Sequence, residues 1–179
     1  AHIGAVQWHA GRAALAARVN ITYKVLYNDA VAMTGGQSND GELPPDRIAR
    51  ELLAAGIKDL AVVFDPAEEP ERSLFPKDVT WHDRSEMPLV QKRMAETEGV
   101  TAILYIQTCA AEKRRRRKRG QFPDPDKRVF INTDICEGCG DCGVQSNCVS
   151  IVPVETELVL KRAIDQSSCN KDFSCGDGC

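Results

Sequence analysis

The sequence predicts an α/β protein in which a parallel sheet is followed by a small cysteine-rich segment. Strand-like and helical stretches alternate before the basic run at Lys113, and seven of the eight cysteines lie beyond residue 130. No apolar run approaches the roughly 20 residues of a membrane-spanning helix. We therefore expect an α/β domain over residues 1–119, a linker over 120–128 and a cysteine-rich segment over 129–179.

Three runs are predicted to be strands of the sheet. Residues 21–27 are rich in β-branched and aromatic side chains, which favour strands. Residues 60–64 and 101–106 are short, continuous apolar runs, which are typical of strands buried on both faces. Their alternation with helices indicates parallel connections.

Three helices are predicted around these strands. Residues 9–18 are alanine-rich and favour a helix. A second helix is expected to begin at Pro44 and Pro45 and to end at Gly56, and a third to cover residues 83–98. In the second and third helices, apolar side chains recur at the spacing of one helix face, so each helix is expected to be amphipathic.

A basic run dominates the charge pattern. Residues 113–119 are seven cations without an acid, although the net charge of the chain is −3. The remainder holds 16 basic and 26 acidic residues and is distinctly acidic. Nucleic-acid binding is disfavoured, because no aromatic residues interleave the run and no nucleic-acid fold motif accompanies it. The run is either a solvated helical face or a source of attraction for phosphates and acidic partners.

Three cysteines repeat at every third position, Cys136, Cys139 and Cys142, and Cys148 follows. A C-x2-C-x2-C run is typical of a cubane iron–sulfur site, and the glycines within it allow the backbone to turn tightly. Structural zinc is less favoured because it usually takes two separated pairs of ligands. Disulfides are less favoured because the three cysteines are too close together to pair easily.

The remaining cysteines leave two groupings open. The candidate ligands are Cys136, Cys139, Cys142, Cys148, Cys169, Cys175 and Cys179. In two-cluster ferredoxins the fourth cysteine of one run ligates the other cluster. By that rule Cys179 completes the first run and leaves Cys148, Cys169 and Cys175 for a second site. In the other grouping, Cys148 closes the first site directly.

Polar residues follow the first predicted strand. Asn28 and Asp29 come directly after it, at the sheet edge where α/β proteins gather ligands. Their oxygens suit Mg²⁺ bound together with a phosphate, and Gly35 and Gly36 offer backbone amides nearby. The same residues are also common in ordinary turns, which is the alternative interpretation.

Several segments together resemble indolepyruvate ferredoxin oxidoreductase, of the 2-oxoacid:ferredoxin oxidoreductase family. They are spread from Val19 to the C-terminus, and in combination they are far more specific than any one of them. The segments are Val19–Gln37, Gln107–Gly120, Phe122–Pro125, Cys136–Cys148, Glu155–Glu157 and Ile164–Cys175.

The resemblance implies a partial thiamine diphosphate-binding domain followed by a ferredoxin-like segment with one or two [4Fe–4S] clusters. The Asn28 side chain and the Ala30 carbonyl would ligate the Mg²⁺ that holds the diphosphate. The other residues implied to lie close to thiamine diphosphate are Asp29, Thr34, Gly35, Gly36 and Gln37.

The resemblance also implies a reaction and its partners. An aryl 2-oxoacid such as indolepyruvate would be oxidatively decarboxylated to an acyl-CoA, with electrons passed through the clusters to ferredoxin. Ferredoxin, coenzyme A and the rest of the oxidoreductase chain or subunit are the implied partners. The cysteine pattern predicts a cytoplasmic setting, where thiols stay reduced.

One family feature is missing. A Gly-Asp-Gly motif usually precedes the position of Asn28, and the Gly-Asp-Gly of this chain, residues 176–178, lies among the C-terminal cysteines instead. The chain also does not begin with methionine. We therefore expect a fragment or a reduced variant that is inactive alone, and no catalytic residue is predicted. A second hypothesis is a non-catalytic iron–sulfur electron-transfer or interaction module.

Overall fold

The computed structural model describes residues 5–28, Ala30 and residues 43–177. The chain forms two compact units, Ala1–Glu112 and Lys113–Cys179. The boundary between them falls within a helix that contains the basic run, so each unit is described by itself.

A four-stranded parallel sheet organises the first unit. Its strands are β1 (Ile21–Tyr27), β2 (Asp59–Phe64), β3 (Val79–Asp83) and β4 (Val100–Ile106). They pair in the order β1-β4-β2-β3, and every pair is parallel. The predicted α/β class with a parallel sheet is confirmed, and β1 spans the residues predicted for it.

Strand β3 is the element of the sheet that sequence patterns missed. It is an edge strand of mixed polarity, and only Val79 in it is buried. The Trp81 ring packs edge-on against Phe75 at a centroid distance of 4.9 Å and against Phe64 at 6.0 Å. Packing between aromatic rings stabilises beyond the surface area that it buries. This tertiary packing therefore supports a strand whose own sequence shows little strand pattern.

The described helices of the first unit are α1 (Ala5–Ala16), α2 (Pro45–Ala54) and α3 (Met87–Glu96). Helix α4 (Ala110–Lys118) contains most of the basic run. Helix α3 begins later than predicted, because residues 79–83 form a strand and a short 3₁₀ turn, closed by a capping box between Asp83 and Glu86, precedes the helix. Among the described residues, no helix combines the length and apolar character that crossing a bilayer requires.

Helices cover both faces of the sheet. Successive residues of a strand point to opposite faces. Leu60 and Val62 of β2 accordingly join the core cluster that contains the buried side chains of α2, whereas Ala61 and Val63 join the cluster that contains those of α3. Burial on both faces explains why β2 and β4 appear in the sequence as continuous apolar runs.

The second unit contains a β-hairpin and a short helix. Helix α5 spans Asp141–Ser146, and strands β5 (Ile151–Glu155) and β6 (Leu160–Ile164) pair antiparallel. A 3₁₀ turn, Ser174–Asp177, follows and packs against α5. The small antiparallel sheet was not predicted, and the finer assignments, a thiamine diphosphate-binding domain and a ferredoxin-like segment, stay predictions.

Candidate metal centre and cofactor edge

The predicted cysteine ligands that the structure describes lie in loops, in helix α5 or in a 3₁₀ turn of the second unit. Cys136 and Cys139 precede α5, and Cys142 lies within it. Cys142 and Cys169 are buried, Cys139 is exposed, and Cys136, Cys148 and Cys175 are half-buried; no disulfide joins these six cysteines. Cys179 lies outside the described residues.

A cavity of about 490 Å³ brings four of these cysteines together. Cys136, Cys139 and Cys142 contribute to its wall, and so does Cys175 from the 3₁₀ turn. Much of the remaining wall is apolar, with Phe130 among its side chains. Residues far apart in sequence therefore surround one space, which sequence spacing alone did not predict.

Gly138 lets the first cysteine loop lie directly against the hairpin. Its φ of +75° is in the left-handed region, which L side chains rarely adopt. A methyl group at this position would also lie 2.4 Å from the carbonyl oxygen of Leu160. Glycine is therefore required here by the approach to β6.

Backbone amides point at three of the sulfurs. The amide of Gly138 donates to Cys136 Sγ at 3.4 Å, that of Ser150 to Cys148 Sγ at 3.5 Å, and that of Lys171 to Cys169 Sγ at 3.4 Å. In each case the donor is two residues beyond the cysteine. Such bonds stabilise a negatively charged sulfur, which is the form that binds metals.

The electrostatic settings of two thiols differ. Amide hydrogen bonds from Arg162 and Gly138 lower the pKa of Cys136, and the charges of Lys161 and Arg162 act in the same direction. Burial raises the pKa of Cys175, and the neighbouring thiols of Cys148 and Cys169 raise it further. Cys136 is thus the better thiolate of the two.

Cys175 belongs to the surroundings of both candidate groups. It lines the cavity with the first run, and its pKa responds to Cys148 and Cys169. Across the described part of the chain, no three Cys, His, Asp or Glu side chains stand in a metal-ligating arrangement. The choice between the two groupings, which also involves Cys179, therefore stays open.

The predicted magnesium ligands lie at the carboxyl end of β1. Asn28 is half-buried, Ala30 is 2% exposed, and the amide of Ala30 donates to Asn28 Oδ1 at 3.3 Å. This bond is typical of an Asx turn, the alternative interpretation of these residues. The other predicted cofactor residues, Asp29 and the stretch from Thr34 to Gln37, lie outside the described residues.

A polar network on the neighbouring strands was missed by sequence patterns. The Gln107 Nε2 group, just beyond β4, donates to Asp65 Oδ2, just beyond β2, at 2.8 Å. Asp65 also accepts from Arg84 at 3.2 Å, and the Tyr105 hydroxyl donates to Gln107 Oε1. Burial raises the pKa of Tyr105.

The strand order explains how this network forms. Phe64 of β2 pairs with Ile106 of β4, so the polar residues that follow the two strands lie side by side. The amide of Gln107 also donates to the carbonyl of Tyr27 at 3.0 Å, next to Asn28. The sequence does show a polar residue directly after each strand, Asp65 after β2 and Gln107 after β4. Only the strand order shows that these two residues are neighbours.

No protein-family model, curated protein or solved structure matches this chain. Membership of the family that the sequence segments resemble therefore stays a prediction.

Proposed function

We propose that this chain is part of a thiamine diphosphate-dependent 2-oxoacid:ferredoxin oxidoreductase of the indolepyruvate type. Its reaction is the oxidative decarboxylation of an aryl 2-oxoacid to an acyl-CoA. The observation that carries the proposal is the cysteine cavity, which is lined by a C-x2-C-x2-C run and by Cys175. The parallel α/β sheet that precedes it suits a cofactor that binds at a strand edge.

The cysteines of the second unit are the proposed ligands of one or two [4Fe–4S] clusters. Cys136, Cys139 and Cys142 hold the first cluster, and the remaining cysteines complete it and any second one. The amide bonds to Cys136, Cys148 and Cys169 are of the kind that influence the reduction potential of a bound cluster. When bound, the clusters supply one-electron carriers.

The composition of the second unit also supports a resident metal group. Among its described residues, the buried apolar side chains are those of Cys142 and Cys169, while Phe130 is 76% exposed and Leu158 91% exposed. A unit of this size without an apolar core usually needs disulfides or a metal to fold. No disulfide joins its described cysteines, so a bound metal group is proposed to stabilise this unit.

The edge of the first unit is the proposed site of the diphosphate. The Asn28 side-chain oxygen and the Ala30 carbonyl would hold Mg²⁺. By the resemblance, Asp29 and residues 34–37, which are outside the described residues, would contribute to thiamine diphosphate binding. The Asn28 side-chain oxygen, which accepts the turn bond from the Ala30 amide, is a hard oxygen ligand of the kind that suits Mg²⁺. Thiamine diphosphate supplies carbanion stabilisation, and the protein supplies binding and orientation.

The proposed partners follow from this reaction. Ferredoxin accepts the electrons, coenzyme A accepts the acyl group, and the rest of the oxidoreductase chain or subunit supplies what an upstream Gly-Asp-Gly motif would provide.

Iron and sulfide analysis of the anaerobically purified chain tests the proposal. We expect roughly four irons and four sulfides per cluster. A Cys139→Ser variant should bind less iron, whereas the matched control Cys109→Ser, in the first unit, should bind as much as the wild type. Zinc in place of iron would overturn the proposal.

A non-catalytic iron–sulfur electron-transfer or interaction module is the alternative function. The turn bond between Ala30 and Asn28 favours it, because that bond gives Asn28 a structural role that needs no cofactor. Calorimetric titration with thiamine diphosphate and Mg²⁺ separates the two functions. Binding that is lost in an Asn28→Ala variant supports the oxidoreductase, and iron without any thiamine diphosphate binding supports the module.

A further inference from the structure

The basic run is less exposed than a solvated helical face would be. It forms most of helix α4 and continues to Arg119. Residues 113–117 are all half-buried, and only Lys118 and Arg119 at the end of the run are exposed. Half-buried cations need partners, because removing a charge from water is costly without compensation.

Arg114 takes its partners from the loop around Cys169. Its Nη1 group donates to the carbonyl of Ser168 at 2.9 Å and to the side-chain oxygen of Asn170 at 2.8 Å. The two acceptors flank Cys169, so one guanidinium holds both sides of the cysteine. Hydrogen bonds from a charged donor are stronger than those between neutral groups.

Arg117 ties the same loop to the segment after the helix. Its Nη1 group donates to the carbonyl of Asn170 at 2.7 Å, and its Nε group donates to the carbonyl of Pro123 at 3.1 Å. Its guanidinium also lies 5.3 Å from the ring centre of Phe122, and its side chain is only 11% exposed. The rigid fork of arginine suits this geometry, and lysine could not reproduce it.

The Cys169 loop has a backbone conformation that needs such support. Lys171 and Phe173 both have positive φ angles, 57° and 63°, which cost free energy for residues other than glycine. In this conformation the Lys171 amide points at Cys169 Sγ. The Lys171 side chain also bonds Asp124, and this bond lowers the pKa of Asp124.

We propose that Arg114 and Arg117 are positioning residues that fix the loop of residues 168–171 and thereby hold the sulfur of Cys169 in place. The role itself stands on the three hydrogen bonds from these arginines to the loop. Its purpose, presenting Cys169 to an iron–sulfur cluster, rests on the function proposed above.

Site-specific alkylation of the full, anaerobically purified chain tests this role. Cys169 is buried, so its reaction with iodoacetamide requires local opening of the loop. In an Arg117→Met variant we expect the rate at Cys169 to rise roughly tenfold, because a charged hydrogen bond is lost. Cys142, which is also buried, serves as the internal reference and should change little.

Two further variants sharpen the test. Arg119→Met removes an exposed cation from the same run and should leave both rates unchanged. Asn170→Ala keeps every cation and removes one acceptor of Arg114, so it should raise the Cys169 rate even if Arg117→Met does not fold. An unchanged Cys169 rate in the folded variants, or an equal rise at Cys169 and Cys142, would overturn the positioning role.

The proposed function and the positioning role fail in different ways. If the wild-type chain binds no iron, the proposed function is wrong, and the ratio of the two alkylation rates still decides the positioning role. If it binds iron, Arg117→Met should also alter the electron paramagnetic resonance signal of the bound iron, whereas Arg119→Met should not.

Discussion

Gly138 shows how one residue can carry both a local and a tertiary constraint. Its positive φ favours glycine in any context, and its approach to the Leu160 carbonyl excludes a side chain in this fold. Gly143, in α5, has neither constraint, since no atom lies within 4 Å of the place where its methyl group would be. The two glycines are therefore a matched pair for substitution.

We expect Gly138→Ala to lower the free energy of unfolding of the second unit by roughly 2–4 kcal/mol, because alanine is strained at a left-handed φ and its methyl group would overpack against β6. Gly143→Ala should instead raise it by about 0.5–1 kcal/mol, because alanine favours a helix. Urea unfolding followed by far-ultraviolet circular dichroism measures both. Equal effects of the two substitutions would contradict the close approach to β6.

The lowered pKa of Cys136 predicts a pH dependence of its reactivity. The thiolate is the reactive form, so a lower pKa moves the midpoint of alkylation to lower pH, and the raised pKa of Cys175 moves its midpoint to higher pH. Mass-spectrometric alkylation profiles of the iron-stripped chain should separate the two thiols in this order.

A variant at Arg162 tests the cause of that shift. The larger contribution to the lowered pKa of Cys136 comes from backbone amides, including that of Arg162, and the Arg162 charge contributes less. Arg162→Gln keeps the amide, so most of the difference between Cys136 and Cys175 should persist. Coincident profiles of the two thiols in the wild-type chain would contradict the structure.

The central strands β2 and β4 are the elements with the clearest sequence pattern, a continuous apolar run. Both are almost wholly buried, and helices α2 and α3 contribute to the core on opposite faces. Each strand could be predicted from its apolar run. The edge strand β3 could not, because its stability depends on Trp81 packing against Phe64 and Phe75.

Substitutions in the sheet should follow this division. Leu104 is fully buried in β4, so Leu104→Ala should lower the free energy of unfolding by about 2–5 kcal/mol. Leu26, in β1, is 55% exposed, so Leu26→Ala should change it by less than about 0.5–1 kcal/mol. Thermal unfolding of the two variants compares them, and a similar loss in both would argue against the observed strand order.

At the scale of the whole molecule, the two units differ in what stabilises them. The first has an apolar core on each face of its sheet. In the described part of the second, few apolar side chains are buried and cysteines line its cavity. The second unit should therefore depend on a bound metal group far more than the first.

Removal of iron tests this difference within one sample. At free ligand about 100-fold above its dissociation constant, binding adds roughly 2.7 kcal/mol to the stability of the folded state. Chelation should therefore reduce the amide-exchange protection of the β5–β6 hairpin and leave that of β1 and β4 unchanged. Equal protection of the hairpin with and without iron would contradict the proposal that a bound metal group stabilises the second unit.

The sequence by itself determined the α/β class, three of the four parallel strands and a cysteine spacing suited to a cluster. These features depend on local patterns, namely apolar runs, helical periodicity and ligand spacing, which act between residues close in the chain. The position of Asn28 directly after β1 could also be predicted from a local pattern, because the strand-forming run ends at Tyr27.

Only the tertiary structure decided which distant residues meet. The position of Cys175 beside the first cysteine run, the close contact of Gly138 with β6 and the bonds from Arg114 and Arg117 to the Cys169 loop all join segments far apart in sequence. No local pattern encodes such contacts, because they depend on chain folding and on the need of half-buried charges for partners. From its sequence the basic run could be a solvated face or a source of attraction for phosphates and acidic partners, whereas in the structure two of its arginines donate hydrogen bonds to a cysteine loop.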